Sequence, residues 1–151
     1  MIFIIHYHMV RYFSFLLLII ITSCDRDRNN TVNNNPYLPN YSFDIMLNMN
    51  LPQYNPLVYP SNAVYVNTAG AGIRGVIVFN AGSGNYLAYD AACPNQALAD
   101  CSTMTITGVN AVCACDNASY SLFTGLAAGK QYPMKAYRVQ MIDATTLRVY
   151  N

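Results

Sequence analysis

The sequence predicts an all-β fold, and three observations carry that prediction. First, YSFDIMLNMNL (41–51) places Tyr41, Phe43, Ile45, Leu47, Met49 and Leu51 on one side at a period of two, the pattern of a half-buried strand. Second, the chain has 13 Tyr and no Trp, and its apolar residues mostly alternate with small polar ones, a composition that suits strands. Third, the apolar runs are short and are separated by Gly, Pro and Asn, the residues of turns. No stretch shows a convincing amphipathic helical period, and no internal repeat is present.

The elements follow in order. After the strand at 41–51 comes a Pro-rich passage, LPQYNPLVYP, and then AVYVN, a short strand. GIRGVIVFNAGSGNYLAYD reads as two strands joined at Gly82-Ser83-Gly84-Asn85. No helix follows that Gly-Ser-Gly, so it is a hairpin turn and not a phosphate cradle. MTITGV and AVCAC form another pair, with Gly108 and Asn110 near the turn, and SYSLF is one more short strand. KAYRVQMIDATTLRVYN closes the chain as a hairpin bent at Asp143–Thr145.

The 151 residues suit one domain with one hydrophobic core. The first 23 read as an export signal. Arg11 precedes YFSFLLLIII (12–21), an apolar run of ten residues, where a membrane-spanning helix needs about 20. The run ends in Ile21-Thr22-Ser23-Cys24, which resembles the bacterial lipobox and implies lipidation of Cys24. An ordinary signal peptide and an uncut anchor are the other readings. Residues 24–40 then form an Asn-rich tether, with Pro36 and Pro39 and little that could pack. The folded domain is expected at 41–151. In the mature chain seven basic residues (eight minus Arg11) face seven Asp. Anchoring would therefore come from acyl chains, not from attraction to anionic lipid.

Several function classes are excluded by composition. No basic stripe is present, so nucleic acid is not an expected partner. The chain has no Glu, which leaves little for paired-carboxylate catalysis. Both histidines, His6 and His8, lie in the signal segment. The mature protein would thus lack imidazole altogether, and with it Ser-His-Asp triads, Cys-His dyads and His-ligated metals. No catalytic residue is expected. Asp90, which ends the strand before the first cysteine loop, could be mistaken for a catalytic acid.

The stretches GVIVFNAGSGNYLAYDAACPN and VCACDNASYSLFTG together resemble a Rieske [2Fe–2S] domain. In that family a hairpin ending Tyr-x-Ala-x-Asp, here Tyr86 to Asp90, leads to a Cys-x-His loop, and a Cys-x-x-His loop follows; the resemblance implies a turn role for Asp90 rather than an acid's. Cys93-Pro94-Asn95 stands in the first loop and Cys113-Ala114-Cys115-Asp116 in the second, with 17 residues (96–112) between them. The family's Gly-Ser-x-Phe-x-x-x-x-Gly corresponds to Asn117-Ala118-Ser119-Tyr120, with Gly125 in register. Its Pro-Leu-x-x-Tyr-x-Val tail corresponds to Pro133-Met134-Lys135-Ala136-Tyr137-Arg138-Val139. The resemblance covers about residues 60–151 and implies a Rieske-like antiparallel β sandwich or barrel with a two-loop cluster-type subdomain.

The cluster itself is not expected. A Rieske centre takes two thiolates on one iron and two imidazoles on the other. The ligand-equivalent positions here are Cys93, Asn95, Cys113 and Asp116, and an amide is a poor ligand for ferric iron. Asn117 and Ala118 also replace the Gly and Ser that support the cluster loops. No metal and no cofactor is therefore expected, with a [2Fe–2S] cluster on altered ligands as the alternative.

With Cys24 lipidated, four cysteines remain, and an even number in an exported chain argues for two disulfides. Three pairings are possible, and a Cys113–Cys115 bridge would be strained. In the family the equivalents of Cys93 and Cys113 hold one iron, so the resemblance implies Cys93–Cys113. Cys101–Cys115 would follow, similar to the loop-to-loop disulfide of respiratory-chain members. The expectation is a lipid-anchored protein of the cell envelope, a non-enzymatic binding or accessory module, with the membrane and a protein at the membrane as its partners. The alternative is an electron-transfer protein.

Overall fold

The computed structural model describes residues 35–151. The expected signal peptide and Cys24 lie outside the described residues, as does most of the tether. Nine strands make up the fold among the described residues, with two short 3₁₀ turns and no α-helix. β1 (Asp44–Asn48), β2 (Ala63–Val66), β3 (Val76–Gly82), β4 (Asn85–Asp90), β8 (Ala136–Asp143) and β9 (Thr146–Tyr150) form one antiparallel sheet in the order β1-β9-β8-β4-β3-β2. β5 (Thr105–Thr107), β6 (Asn110–Val112) and β7 (Ser119–Ser121) form a second, three-stranded sheet.

The large sheet is joined at its middle by only two residue pairs, Ala88 with Tyr137 and Tyr89 with Ala136. On either side of that seam, β1-β9-β8 and β2-β3-β4 contribute to one common core. It holds Leu47 and Met49, Val64 and Val66 of β2, Val76 and Val78 of β3, and Leu147 and Val149 of β9. The period of two is met strand by strand: Ile45 stands opposite Val149 and Leu47 opposite Leu147.

The alternate residues of β3 face elsewhere. Ile77 and Phe79 join a second core with Tyr89, Met104, Ala111, Tyr120, Leu122 and the inner cysteines Cys93 and Cys113. Strand β3 is a wall shared by two cores, and this is why Val-Ile-Val-Phe reads as an unbroken apolar run. Two small cores thus replace the single one that chain length suggested. The all-β, antiparallel architecture stands as the sequence implied, with the three-stranded sheet standing apart from the six-stranded one.

Three boundaries differ from expectation. The strand expected over 41–51 is shorter, Asp44–Asn48, and Tyr41 and Leu51 at its expected ends are exposed. The tether does not run to residue 40. Leu38 is 1% exposed, the Asn35 amide donates to the Pro94 carbonyl at 2.7 Å, and Lys135 Nζ donates to Asn40 Oδ1 at 2.8 Å. Residues 35–40 therefore pack on the domain, by scattered contacts that have no period to betray them. In the Pro-rich passage, Asn55–Val58 forms a 3₁₀ turn that buries Leu57 in the first core.

Candidate functional site

The first cysteine loop leaves β4 at Asp90, and this residue holds the local frame. Its buried carboxylate accepts from the backbone N–H groups of Ile73 (2.6 Å), Arg74 (3.3 Å) and Ala92 (2.7 Å), and from the Tyr137 hydroxyl (2.6 Å). Burial, with the Asp90 charge second, pushes the Tyr137 phenol far above its usual range, so it stays a donor. Gly72 makes the arrangement possible: it sits at φ +65°, and a Cβ there would meet Asp90 Oδ2 at 2.8 Å. Asp90 thus ties two loops to strand β8.

Beyond Asp90 the chain turns back on itself. The Met104 N–H donates to Ala91 and the Cys93 N–H to Ser102, which sets Cys101 beside the first loop. The second loop leaves β6 after Val112 and is closed where the Cys113 N–H donates to the Ala118 carbonyl at 2.9 Å. Asn117 takes φ +56° there. This is the left-handed conformation that Asn tolerates better than most residues, at a position where the family has Gly.

The four cysteines are joined as Cys93–Cys113 (S–S 2.08 Å) and Cys101–Cys115 (2.05 Å), the pairing that the resemblance implied. Cys93 and Cys113 are 1% and 0% exposed, Cys115 is half-buried and Cys101 is exposed. The two bonds are stacked: the sulfurs of Cys93, Cys113 and Cys115 lie within 4.8 Å of one another.

The two histidine-equivalent side chains are engaged elsewhere. Asn95 pairs with both backbone groups of one residue, as a facing strand residue would: its Nδ2 donates to the Tyr132 carbonyl (2.7 Å) and its Oδ1 accepts from the Tyr132 N–H (2.9 Å). The same Nδ2 donates to the buried Tyr120 hydroxyl at 2.9 Å. Asp116 Oδ1 accepts from the Ala118 N–H (3.1 Å), and Oδ2 pairs with Lys130 Nζ (2.6 Å). The Lys130 hydrogen bond holds the Asp116 carboxyl below its ordinary range, and the same bond raises the Lys130 amine. Burial raises the Tyr120 phenol.

This donor set does not fit a [2Fe–2S] cluster. Two sulfurs that would bind one iron are bonded to each other, and the positions for the other iron carry an amide clamped to backbone and a carboxylate held by an ammonium. Sequence reasoning singled out Cys93, Asn95, Cys113 and Asp116 and missed the partners of Asn95 and Asp116. Tyr132 and Lys130 lie in a stretch, AAGKQYP, without period or motif. Asn35, which grips Pro94 inside the first loop, was assigned to the tether. Tyr37 adds to that grip, its ring meeting Tyr132 edge-on at 6.1 Å between centroids.

No protein-family model matches the chain, and no curated protein matches it. Solved structures similar to it include a chain of the complex of reduced oxygenase and oxidized ferredoxin in carbazole 1,9a-dioxygenase, at 17% identity and a TM-score of 0.46 over 74% of this chain and 94% of that one. A putative NADH-dependent nitrite reductase small subunit from Mycobacterium tuberculosis is 14% identical, with a TM-score of 0.45 over 74% and 97%. The ferredoxin of carbazole 1,9a-dioxygenase from Nocardioides aromaticivorans IC177 is 17% identical, with a TM-score of 0.44 over 73% and 97%.

Proposed function

We propose that this protein is a lipid-anchored, exported module whose Rieske-like domain carries two disulfides in place of the cluster and serves as a non-enzymatic binding or accessory unit at the membrane. The observation that carries the proposal is the engagement of every ligand-equivalent group: Cys93 with Cys113, Asn95 with Tyr132, and Asp116 with Lys130. A domain evolved to hold iron leaves those atoms facing the metal. Here they close the loops on themselves.

The anchor reading supports a position close to the bilayer. If Cys24 is lipidated, the spacer before the packed segment is the ten residues 25–34. Fully extended it would reach roughly 35 Å at most, about one small-domain diameter. The loop tips gripped by Asn35 would then lie where the chain emerges from its tether. A protein partner at the membrane is the expected ligand.

The convergence of three sulfurs within 4.8 Å supports a second reading, an electron-transfer protein with a cluster on altered ligands. One experiment separates the two. The full chain is purified in detergent, aerobically and anaerobically, and its visible spectrum and intact mass are recorded. Two disulfides predict no absorption above about 320 nm and a mass lower by four hydrogens. A brown protein with iron, acid-labile sulfide and free thiols after iron removal would support the second reading and refute the first. For the anchor, Cys24→Ser is expected to release the protein from the membrane fraction, and retention would refute lipidation at this cysteine.

A further inference from the structure

We propose that the two stacked disulfides form a thiol–disulfide relay, in which the exposed Cys101–Cys115 bond receives electrons from a dithiol and passes them to the buried Cys93–Cys113 bond. The inference rests on the cluster-free reading above, because a cluster would keep Cys93 and Cys113 as separate thiolates.

Three observations lead to it. The sulfurs of Cys93, Cys113 and Cys115 lie within 4.8 Å of one another, so the outer bond has one end against the inner bond. Exposure is divided between them. Cys101 faces solvent, whereas Cys93 and Cys113 sit in the second core among Ile77, Phe79 and Tyr120 and are closed to a thiol from solution. The third observation is Ser102. Its buried hydroxyl lies 3.8 Å from Cys115 Sγ and 3.4 Å from the Ala97 carbonyl. The hydroxyl proton can turn from that carbonyl to a sulfur that has gained negative charge.

The chemistry balances in three exchanges. A thiolate of the dithiol attacks Cys101 Sγ, the Cys101–Cys115 bond breaks, and Cys115 leaves as the thiolate beside Ser102. Cys115 then attacks Cys93 Sγ. A Cys93–Cys115 bond forms, the Cys93–Cys113 bond breaks, and Cys113 leaves with the electron pair. Attack at Cys113 is disfavoured, because a Cys113–Cys115 bond would strain the i, i+2 backbone. The second thiol of the donor resolves its mixed disulfide with Cys101. The donor leaves as a disulfide, and the protein has gained two electrons and two protons, held as thiols at Cys101 and Cys113. Cys115 thus joins an accessible bond to a shielded one. The substrate class is a dithiol, small or carried on a protein.

The test uses the full chain in detergent, with iron and labile sulfide measured first on the same sample. Dithiothreitol is added at less than one equivalent, the reaction is quenched with acid, and free thiols are alkylated and mapped by peptide mass. The relay predicts a two-electron product alkylated at Cys101 and Cys113, with Cys93 bonded to Cys115. A product alkylated only at Cys101 and Cys115, with Cys93–Cys113 intact, would overturn it. A reduced Cys-x-x-Cys protein in a parallel arm shows which size of donor is accepted, by the faster appearance of the same product. The rate offers a second readout. In Cys101→Ser/Cys115→Ser the inner bond is expected to be reduced about tenfold more slowly than in the parent chain, because the neighbouring nucleophile Cys115 is gone and only slow attack by the donor itself remains. An outer bond that merely braces the loops predicts the reverse, and an equal or faster rate in a folded variant would overturn the relay. Stoichiometric iron would overturn the cluster-free reading and the relay together, whereas an iron-free chain lacking the rearranged product overturns the relay alone.

Discussion

Around the first core, β1, β2, β8 and β9 alternate sides and bury apolar residues at a period of two, while the 3₁₀ turn adds Leu57. Around the second core, apart from the shared β3 and from β4, the strands are three residues long, and much of the buried surface comes from loop residues such as Cys93, Met104, Cys113 and Met134. Strands that short give few ladder hydrogen bonds and cannot be stable alone. Disulfides, the Asn95 clamp and the packed segment 35–40 make up the difference. The contrast teaches that where strands are too short to hold a region by their ladders, cross-links between its loops can do so.

The comparison can be broken most forcefully from its shared wall. Phe79 is fully buried in the second core, its ring edge-on to Phe123 at 4.8 Å between centroids, and Leu147 is its fully buried counterpart in the first. Phe79→Ala is expected to cost about 3–5 kcal/mol and Leu147→Ala about 2–5 kcal/mol, measured as shifts in urea unfolding. If the cores are distinct, hydrogen exchange will quicken first at β5–β7 in the former and at β1 and β9 in the latter. A uniform change in both variants would contradict the two-core description.

Next in size is the inner disulfide, which closes a sequence separation of 20 residues. Cys93→Ala/Cys113→Ala is expected to lower stability by roughly 3 kcal/mol on the chain-entropy account. The loss should fall mainly on the three-stranded sheet, whose two flanking loops the bond ties together. Equal protection loss in the six-stranded sheet would contradict that assignment.

Asp90 stands between the regions, since its carboxylate ties the loop at 73–74, the first cysteine loop and Tyr137 of β8. Asp90→Asn replaces an acceptor oxygen with a donor facing N–H and O–H groups. A loss of about 2–3 kcal/mol is expected, against about 1 kcal/mol for Tyr137→Phe. Both can be read from thermal unfolding. A smaller cost for Asp90→Asn than for Tyr137→Phe would show that the backbone contacts contribute little.

The smallest effect concerns the partly exposed Asp116–Lys130 pair. The folded carboxyl is held below its unfolded value, so its contribution is present above the unfolded pKa of about 4 and fades as pH falls through the folded value. Lys130→Met should therefore shift the Asp116 carboxyl titration upward, as followed by NMR. The stability difference between variant and parent is expected at neutral pH and should vanish in strong acid. A difference that persists unchanged below both values would assign it to packing of the Lys130 stem instead.

Much of the fold was legible because it is written in local chemistry. The β3–β4 hairpin needs positive φ at Gly82, Ser83 and Gly84, and the turn GSGN announces it. β1 and β9 show their buried residues by alternation, and the Cys93 and Cys113 loops show themselves by spacing. The packed segment 35–40 was not legible, because Leu38 is one apolar residue among Asn, Pro and Tyr and its burial depends on tertiary contacts. The same holds for the site. Cys93, Asn95, Cys113 and Asp116 stood out by position, whereas Tyr132 and Lys130 reach them across 37 and 14 residues of chain and follow no motif.

The central claim is that these loops are closed by sulfur–sulfur bonds and hold no cluster. Its most direct measurement is iron, acid-labile sulfide and thiol content on protein made anaerobically in iron-supplemented cells and denatured without reductant. The account predicts no stoichiometric iron or sulfide and no alkylation at Cys93, Cys101, Cys113 or Cys115. Two irons and two sulfides per chain, with Cys93 and Cys113 alkylated after denaturation, would contradict it.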